Sequence, residues 1–207
     1  MLDNVLPLRR VTFEEIAEAG PFGLFQRPLD EIWLEVGFGG GEHVAWQALH
    51  HPNVGIIGCE VFQTGIATLL ARLEREPCDN VRIVDDDARR VIDLMPDRSL
   101  GRVFILFPDP WRKARHHKRR IVSQATMDAL ARTMKDGAEL RLATDHIEYL
   151  RAMLEVAPVH PDFEWLARRP EDWRKRPEDW PQTRYEAKAI EQGRRPAFLR
   201  LRRRVRE

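Results

Sequence analysis

Short apolar runs alternate with segments of helical period along most of this sequence, and this alternation restricts the fold more than any other feature. The short runs are rich in β-branched and aromatic residues, which favour strands. The segments between them place apolar residues three and four positions apart, so each presents one face that can cover a sheet. Such a succession is typical of βαβ units around a parallel sheet. The sequence therefore predicts an α/β fold.

Six strands and three helices follow from this pattern. The predicted strands span 32–36, 54–59, 81–84, 102–107, 138–143 and 198–204. The predicted helices span 42–50, 62–75 and 121–135. Because 207 residues is the length of one domain, we expect a single domain over residues 1–207.

Two features of the sequence argue against a metal site and a membrane anchor. Only two cysteines occur, Cys59 and Cys78, and neither has His or Cys partners at metal-ligand spacing. No apolar run approaches the roughly 18 residues of a membrane-spanning helix, and the first residues lack the pattern of a secretory signal. We therefore expect a cytoplasmic protein that holds no metal and contacts no membrane. The sequence leaves the choice between monomer and homodimer open.

The two halves of the chain carry opposite charge. Residues 1–100 include 9 basic and 17 acidic residues, whereas residues 101–207 include 25 basic and 16 acidic residues. The basic residues cluster most densely at 112–120 and at 194–206. Such clusters fit a polyanion partner such as nucleic acid, although a charge run can also be only a solvated face.

A glycine-rich turn follows the first predicted strand. The sequence EVGFGGG leads from that strand directly into a predicted helix, and glycine there allows the backbone to approach a ligand closely. The nicotinamide fingerprint G-x-G-x-x-G would need a third glycine where Glu42 stands. The turn has instead the pattern E-x-G-x-G-x-G, which resembles motif I of class I methyltransferases and consists of Glu35, Gly37, Gly39 and Gly41.

Acidic residues end the first three predicted strands. Glu60 lies 19 residues after Gly41, near the offset at which a carboxylate meets ribose hydroxyls in doubly wound folds. The run DDD at 85–87 offers acceptors for an adenine amino group, and spacing alone does not choose among them. Glu35 is suited to the ammonium of a methionyl group or to a water bridging to it. This acidic set favours S-adenosylmethionine, which carries an ammonium and a sulfonium, over a dinucleotide pyrophosphate.

Two prolines bracket Asp109 in the sequence FPDPW, directly after the fourth predicted strand. They limit the freedom of the backbone and project a carboxylate and an indole at the sheet edge where doubly wound folds bind ligands. The basic run RKARHHKRR follows at once. A carboxylate, an aromatic ring and dense positive charge together suit a nucleotide that is held by its base and its phosphates.

The run FPDPWRKARHHKRR closely resembles the signature of the bacterial tRNA (guanine-N7-)-methyltransferase family. Two further stretches agree with that family: ATD at 143–145, and TRYE at 183–186 followed by Lys188 and Gly193. The resemblance implies a Rossmann-like class I methyltransferase fold, with a mainly parallel seven-stranded sheet and helices on both faces. It also implies methyl transfer from S-adenosylmethionine to N7 of a guanine in the variable loop of tRNA.

The resemblance further assigns roles to individual residues. Those that would contact the methyl donor are Glu35, Gly37, Gly39, Gly41, Glu60, Asp87 and Asp109, and Asp109 would also be catalytic. Those that would bind the substrate are Lys113 and Asp145, together with Thr183, Arg184, Tyr185 and Glu186 in a substrate-binding loop region at 168–197. Those that would contact RNA are Arg115, His116, His117, Lys118, Arg119 and Arg120.

The amino-terminal segment, 1–31, departs from the family. Many members begin with a longer basic arm, whereas the opening MLDNVLPLRR offers only Arg9 and Arg10. An RNA contact by such an arm is therefore not predicted. A second peculiarity is the pentapeptide RPEDW at 169–173, which recurs at 176–180 and whose prolines predict a loop.

Three other functions fit part of the sequence. A nicotinamide oxidoreductase would share the fold, but Glu42 breaks its fingerprint. A non-catalytic RNA-binding module would explain the arginines but not the ordered glycines and acids at successive strand ends. A class I methyltransferase acting on another RNA or on protein is the strongest alternative, because the sequence DPW at 109–111 is also similar to a motif of amino-methylating enzymes.

Overall fold

Seven strands form one sheet in the computed structural model, which describes residues 2–207. The strands are β1 (Glu31–Val36), β2 (Val54–Cys59), β3 (Val81–Val84), β4 (Leu100–Leu106), β5 (Met134–Thr144), β6 (Phe163–Trp165) and β7 (Ala197–Arg203). The helices are α1 (Phe13–Gly23), α2 (Glu42–His50), α3 (Gln63–Arg75), α4 (Ala88–Leu94), α5 (Gln124–Thr133), α6 (Ile147–Val156), α7 (Glu171–Arg174) and α8 (Arg184–Glu191). Two 3₁₀-helices span Leu6–Leu8 and Ala114–Arg119.

The strand order across the sheet is β3-β2-β1-β4-β5-β7-β6. Neighbouring strands pair in parallel, except that β7 runs antiparallel to both β5 and β6. The predicted mainly parallel, seven-stranded sheet is therefore confirmed. The order reverses between β1 and β4, and doubly wound folds bind ligands at the carboxyl edge of such a reversal.

Alternate side chains of each strand pack into two separate cores. In β1, Ile32 and Leu34 pack toward α1, α4, α5 and α6, whereas Trp33 packs toward α2 and α3. This alternation follows from the two-residue period of a strand. Helices therefore cover both faces of the sheet, as predicted.

Most predicted elements begin and end within two residues of the observed ones, but the helix predicted over 121–135 and the strand after it differ more. The helix starts at Gln124, because the hydroxyl of Ser123 accepts a hydrogen bond from Thr126 N and caps it. Its predicted last residues belong to β5, where Met134 pairs with Leu100 of β4. Strand pairing outweighs local helical periodicity at this boundary.

The sequence pattern missed several short elements. They are β6 and the helices α1, α4, α6, α7 and α8. The start of α1 carries a readable signal, since Thr12 and Glu15 form a reciprocal capping box. The region predicted as a loop, 168–197, contains α7 and α8, and α7 lies within the first RPEDW copy.

Most arginines of the carboxyl terminus bind the protein itself, which corrects the expectation that this cluster serves a polyanion. Arg203, Arg204 and Arg206 donate to backbone carbonyl groups of Ala131, Phe163 and Met134, respectively. Arg200 forms an ion pair with Glu139. Arginine is suited to this work because its guanidinium group offers several donors in a fixed plane. Arg203 and Arg206 thus join the end of the chain to the end of α5, Arg204 joins it to β6, and Arg200 joins β7 to β5.

The two arginines near the amino terminus are engaged in the same way. Arg9 donates to the carbonyl oxygen of Cys78 at 2.6 Å, and Arg10 forms an ion pair with Asp85 at 2.8 Å. Backbone hydrogen bonds from this segment to Ile83 add it to the edge of the sheet beside β3. The described part of the amino-terminal segment therefore extends the sheet.

The two RPEDW copies have different roles. In the second copy, Trp180 is fully buried against Phe198, and the carboxylate of Asp179 accepts two hydrogen bonds from the buried Arg141. In the first copy, Asp172 accepts hydrogen bonds from nearby backbone amides and remains on the surface. The second copy therefore anchors the chain that leads into α8.

No helix within residues 2–207 is long and apolar enough to cross a membrane. Over the same range, no three His, Cys, Asp or Glu side chains gather closely enough to hold a metal ion.

Candidate functional site

A cavity of about 320 Å³ opens at the carboxyl ends of the first four strands. Its walls come from the turns that follow β1, β2, β3 and β4, so the fold brings together residues that lie far apart in the sequence. Six of the predicted site residues line it: Gly37, Glu60, Asp87, Asp109, Arg119 and Tyr185. The cavity lies where the strand order reverses, which is the expected ligand position in this architecture.

The glycine turn requires glycine for two separate reasons. Gly37, Gly39 and Gly41 all have positive φ, between 55° and 71°, which side-chain-bearing residues rarely adopt. In addition, a Cβ atom at Gly39 would lie 2.6 Å from a ring carbon of Tyr185. The turn therefore allows the aromatic ring of Tyr185 to lie directly against the backbone at the mouth of the cavity.

Glu60 fixes the glycine turn against the start of α3. One carboxylate oxygen accepts a hydrogen bond from Gly39 N at 2.7 Å, and the other accepts one from Phe62 N at 2.9 Å. The side chain is only 6% exposed, but that exposed part faces the cavity. Because an ionised carboxylate has about four acceptor positions, two remain for ligand hydroxyls.

Glu35 was predicted to meet the ammonium of the donor or a water bridging to it, but its side chain is not among those that line the cavity. It is 3% exposed, and its carboxylate is 2.5 Å from His43 Nδ1. The amide nitrogen of Gln47 lies 3.0 Å from His43 Nε2 and 3.2 Å from the carbonyl oxygen of Asp179. Since that amide nitrogen can only donate, Nε2 accepts, so the His43 proton is on Nδ1 and is donated to Glu35.

This buried chain of hydrogen bonds links the end of β1 to the loop before α8. The two residues in the middle of this chain, His43 and Gln47, were not among the predicted site residues. The available signal was their spacing of four residues on the helix that follows the glycine turn, which places both on one helical face.

The three aspartates after β3 differ in their partners and in whether they line the cavity. Arg10 holds Asp85 away from the cavity, whereas Asp86 and Asp87 both line it. The Asp87 carboxylate caps α4 by accepting from Arg89 N at 2.9 Å, and it also pairs with the Arg89 side chain at 3.1 Å. Of the three candidate adenine acceptors, Asp86 and Asp87 thus line the cavity and Asp85 does not.

Asp109 occupies a strained turn at the cavity rim. On either side of the PDP sequence, Phe107 and Trp111 have φ values of 52° and 45°, in the left-handed region. Such conformations cost about 1–3 kcal/mol each and persist where the surroundings enforce them, often at functional sites. Within residues 2–207 the exposed Asp109 carboxylate makes no hydrogen bond, so it is available to a ligand.

Trp111 supplies an aromatic surface beside that carboxylate. Its ring lines the cavity, and the Arg119 guanidinium lies 4.9 Å from the ring centre. His116 meets the same ring edge-on with centres 5.9 Å apart. An indole bordered by cations is suited to a planar base with a phosphate nearby.

The predicted RNA-contact run forms the 3₁₀-helix Ala114–Arg119, and its last predicted member differs from the rest. Arg115, His117, Lys118 and Arg119 are exposed, and His116 is half-buried. Arg120 is 8% exposed, donates to the carbonyl oxygen of Pro110 at 2.9 Å and lies over the ring of Tyr149. Arg120 therefore braces the Asp109 turn and presents no free guanidinium to RNA.

The predicted substrate segment divides into two anchoring residues and two residues that lie against the glycine turn, of which Tyr185 lines the cavity. The Thr183 hydroxyl caps α8 by accepting from Glu186 N at 3.2 Å. Glu186 is 4% exposed and pairs with Arg176, and burial raises the pKa of its carboxyl group. Tyr185 and Arg184 lie instead against the glycine turn.

The two remaining predicted substrate residues do not line this cavity. Lys113 is exposed at the start of the 3₁₀-helix Ala114–Arg119. Asp145 follows β5, pairs with Arg194 at 2.9 Å and lines a second cleft. Of the predicted substrate residues, Tyr185 therefore lines the first cavity and Asp145 the second cleft.

A family model and a relative in sequence both match this chain, and both are described as methyltransferases. The family model described as "Putative methyltransferase" matches residues 30–199. The tRNA (guanine-N(7)-)-methyltransferase of Rhodospirillum rubrum is 48% identical over 209 residues, which cover 100% of this chain and 82% of that protein.

Solved structures with low sequence identity share the fold. An rRNA methylase from Streptococcus thermophilus superposes with a TM-score of 0.57 at 12% identity, covering 93% of this chain and 94% of that one. Phosphoethanolamine N-methyltransferase 2 of Haemonchus contortus, in complex with S-adenosyl-L-methionine, gives a TM-score of 0.52 at 13% identity, covering 93% of this chain and 52% of that one. The architecture is that of the class I, Rossmann-like methyltransferases.

Proposed function

The chain belongs to the tRNA (guanine-N7-)-methyltransferase family, and from this premise we propose that it methylates N7 of a guanine in the variable loop of tRNA. The methyl donor is S-adenosylmethionine. The observation that carries the proposal is the position of Asp109, whose free carboxylate lies between an acidic cavity and an exposed basic helix. A tRNA substrate also leads us to propose that the chain acts in the cytoplasm.

The charge of the cavity suits this donor. Four carboxylates and two arginines line it, so its lining carries an excess of negative charge: Glu60, Asp86, Asp87 and Asp109, with Arg89 and Arg119. That excess favours a ligand bearing a sulfonium and an ammonium and disfavours a pyrophosphate. Glu60 would hold the ribose hydroxyls, and Asp86 or Asp87 would accept the adenine amino group. When bound, the donor supplies an electrophilic methyl group.

The remaining residues position the acceptor. Guanine N7 already carries a free lone pair, so no side chain needs to remove a proton. Asp109 accepts hydrogen bonds from the guanine edge and stabilises the positive charge that reaches the purine. Trp111 packs against the base, and Tyr185 covers it from the side of the glycine turn. Most of the rate enhancement then comes from orientation, for which effective molarities of about 10⁵ M or more are attainable.

Transfer of label from S-adenosylmethionine to unmodified tRNA tests the proposal. We expect label in tRNA and none in ribosomal RNA or protein. A parallel titration should show binding of S-adenosylhomocysteine and no binding of NAD. Label in protein or DNA, with none in tRNA, would overturn the assignment.

Glu60→Ala should weaken binding of S-adenosylhomocysteine by about tenfold or more, because charge-assisted hydrogen bonds of about 1.5–3 kcal/mol are lost. The fold should persist, since Glu60 lies at the cavity rather than in the apolar cores. Calorimetric titration measures the affinity, and circular dichroism checks the fold. Glu74→Ala, an exposed change on α3, is the matched control. An unchanged affinity would remove the ribose role.

Replacing Arg115 and Lys118 with Gln should weaken tRNA binding and reduce its salt dependence. Each lost phosphate contact removes about 0.7–0.9 from the slope of log K against log salt concentration. Affinity for S-adenosylhomocysteine should barely change, because neither side chain lines the donor cavity. Replacement of Arg120 alone should instead reduce stability, because its buried side chain braces the Asp109 turn. An unaltered slope in the double variant would show that the 3₁₀-helix is only a solvated face.

A further inference from the structure

A second cleft of about 470 Å³ adjoins the candidate active site. This volume lies within the range of about 300–1,000 Å³ that ligand pockets span. The cleft is formed by the end of β5, the start of α6 and the turn between α8 and β7. Arg112, Asp145, His146, Ile147, Arg194 and Arg195 are among the side chains that line it.

The cleft and the Asp109 turn share structural elements. Arg112 lines the cleft and lies three residues after Asp109. The backbone amide of Phe107, which borders the donor cavity, donates to the carbonyl oxygen of Ala143 at 2.8 Å, and Ala143 lies at the end of β5. A polymer bound in the donor-side opening can therefore continue into the cleft.

The cleft carries a net positive charge, and two of its three arginines have no acidic partner among residues 2–207. Arg194 pairs with Asp145, so those two charges offset each other. Arg112 and Arg195 form no ion pair or hydrogen bond with any of residues 2–207, in contrast to most of the carboxyl-terminal arginines. Burial and the nearby Arg112 lower the pKa of His146, so its ring is mainly neutral at pH 7. The two arginines are thus free to bind a phosphate.

One wall of the cleft is apolar. The side chain of Ile147 is 60% exposed beside this charged rim, and Leu150 lies one helical turn further on with only 9% exposed. Flipped or unstacked bases pack on aromatic and apolar side chains as well as on cations. Phosphate donors and an apolar wall in one cleft match the two halves of a nucleotide.

We propose that this cleft binds the nucleotide adjacent to the target guanine, with its phosphate on Arg112 and Arg195 and its base against Ile147. The inference rests on the proposed function, since it assumes that RNA occupies the neighbouring opening. It assigns to the cleft a binding role distinct from that of the residues that orient the guanine.

Arg195→Gln should raise the KM for tRNA about tenfold, as expected for one charge-assisted phosphate contact. It should also reduce the salt slope of tRNA binding by about one. The affinity for S-adenosylhomocysteine should not change. Arg75→Gln, an exposed and unpaired arginine at the far end of α3, is the control and should alter neither quantity. Ile147→Asp should raise the KM as well, whereas Val159→Asp, at an equally exposed aliphatic side chain past the end of α6, should not.

A modified substrate locates the phosphate. tRNA assembled from two pieces would carry a neutral methylphosphonate at one or the other phosphate flanking the target guanine. At one position, the neutral phosphate should cost the wild-type protein at least the factor that Arg195→Gln costs, because Arg112 loses its contact as well. Adding Arg195→Gln to that substrate should then cause no further loss. Multiplying losses at both positions, or a wild-type KM in Arg195→Gln and Ile147→Asp, would overturn the cleft assignment while wild-type 7-methylguanine formation still supports the proposed function. Absence of 7-methylguanine with the wild-type protein would overturn both.

Discussion

Asp109→Ala should reduce single-turnover methylation of tRNA by roughly 10²-fold or more, the scale of losing one preorganised electrostatic contact. The carboxylate stands free at the cavity rim on a turn that two left-handed residues and the Arg120 side chain hold in place. Its loss should affect tRNA and donor binding less than the rate. Asp93→Ala, which removes an exposed carboxylate at the end of α4, is the control and should leave the rate unchanged.

Asp109→Asn separates the two effects of the carboxylate. The amide keeps the shape and one acceptor oxygen but loses the charge. A rate near wild type for Asn but not for Ala would show that orientation dominates, and equal losses would show that charge dominates. Because N7 needs no deprotonation, the residual rate should not rise steeply at high pH. Near-wild-type turnover of Asp109→Ala with saturating donor and tRNA would place the reaction centre elsewhere.

Trp180→Ala should lower the free energy of unfolding by about 3–5 kcal/mol, the usual cost of truncating a fully buried aromatic side chain. Trp180 fills the space between β7 and α2, where its ring meets Phe198 and His43. Trp173, at the equivalent position of the first RPEDW copy, is only half-buried. Trp173→Ala should therefore cost at most about half as much.

Urea unfolding of both variants measures the difference, with an unchanged slope showing that only stability has altered. Trp180→Phe keeps most of the packing, and it should remain folded with a raised KM for tRNA, since Thr183, which caps α8, lies three residues later. Equal destabilisation by Trp180→Ala and Trp173→Ala would contradict the anchoring role of the second copy.

Six of the seven strands could be predicted because each contains a distinct apolar run. β2 is buried along its whole length, and its predicted bounds agree with the structure. Elements that depend on tertiary contacts were not readable. β6 has three residues and exists through pairing with β7, and Met134 joins a strand because Leu100 pairs with it. The local sequence around β6 and Met134 does not show that these residues pair with β7 and Leu100.

The candidate site shows the same division. The spacing of the glycines, Glu60 and Asp109 follows the strands, whereas spacing did not choose among the aspartates at 85–87. The structure brings Gly37, Glu60, Asp86, Asp87 and Asp109 to one cavity. The sequence did not predict which side chains of the site would contact one another. The pairing of Glu35 with His43, and the burial of Arg120, depend on which side chains meet in three dimensions.

Chemical mapping of the methylated base is the most direct test of the central claim. Unmodified tRNA would be incubated with the protein and S-adenosylmethionine, then treated so that the chain breaks only at 7-methylguanine. We expect a single break, at a guanine of the variable loop, and no break after incubation with Asp109→Ala for the same time. Methyl groups found in tRNA at guanine N1 or N2, or at another base, with no break at any guanine, would contradict the assignment.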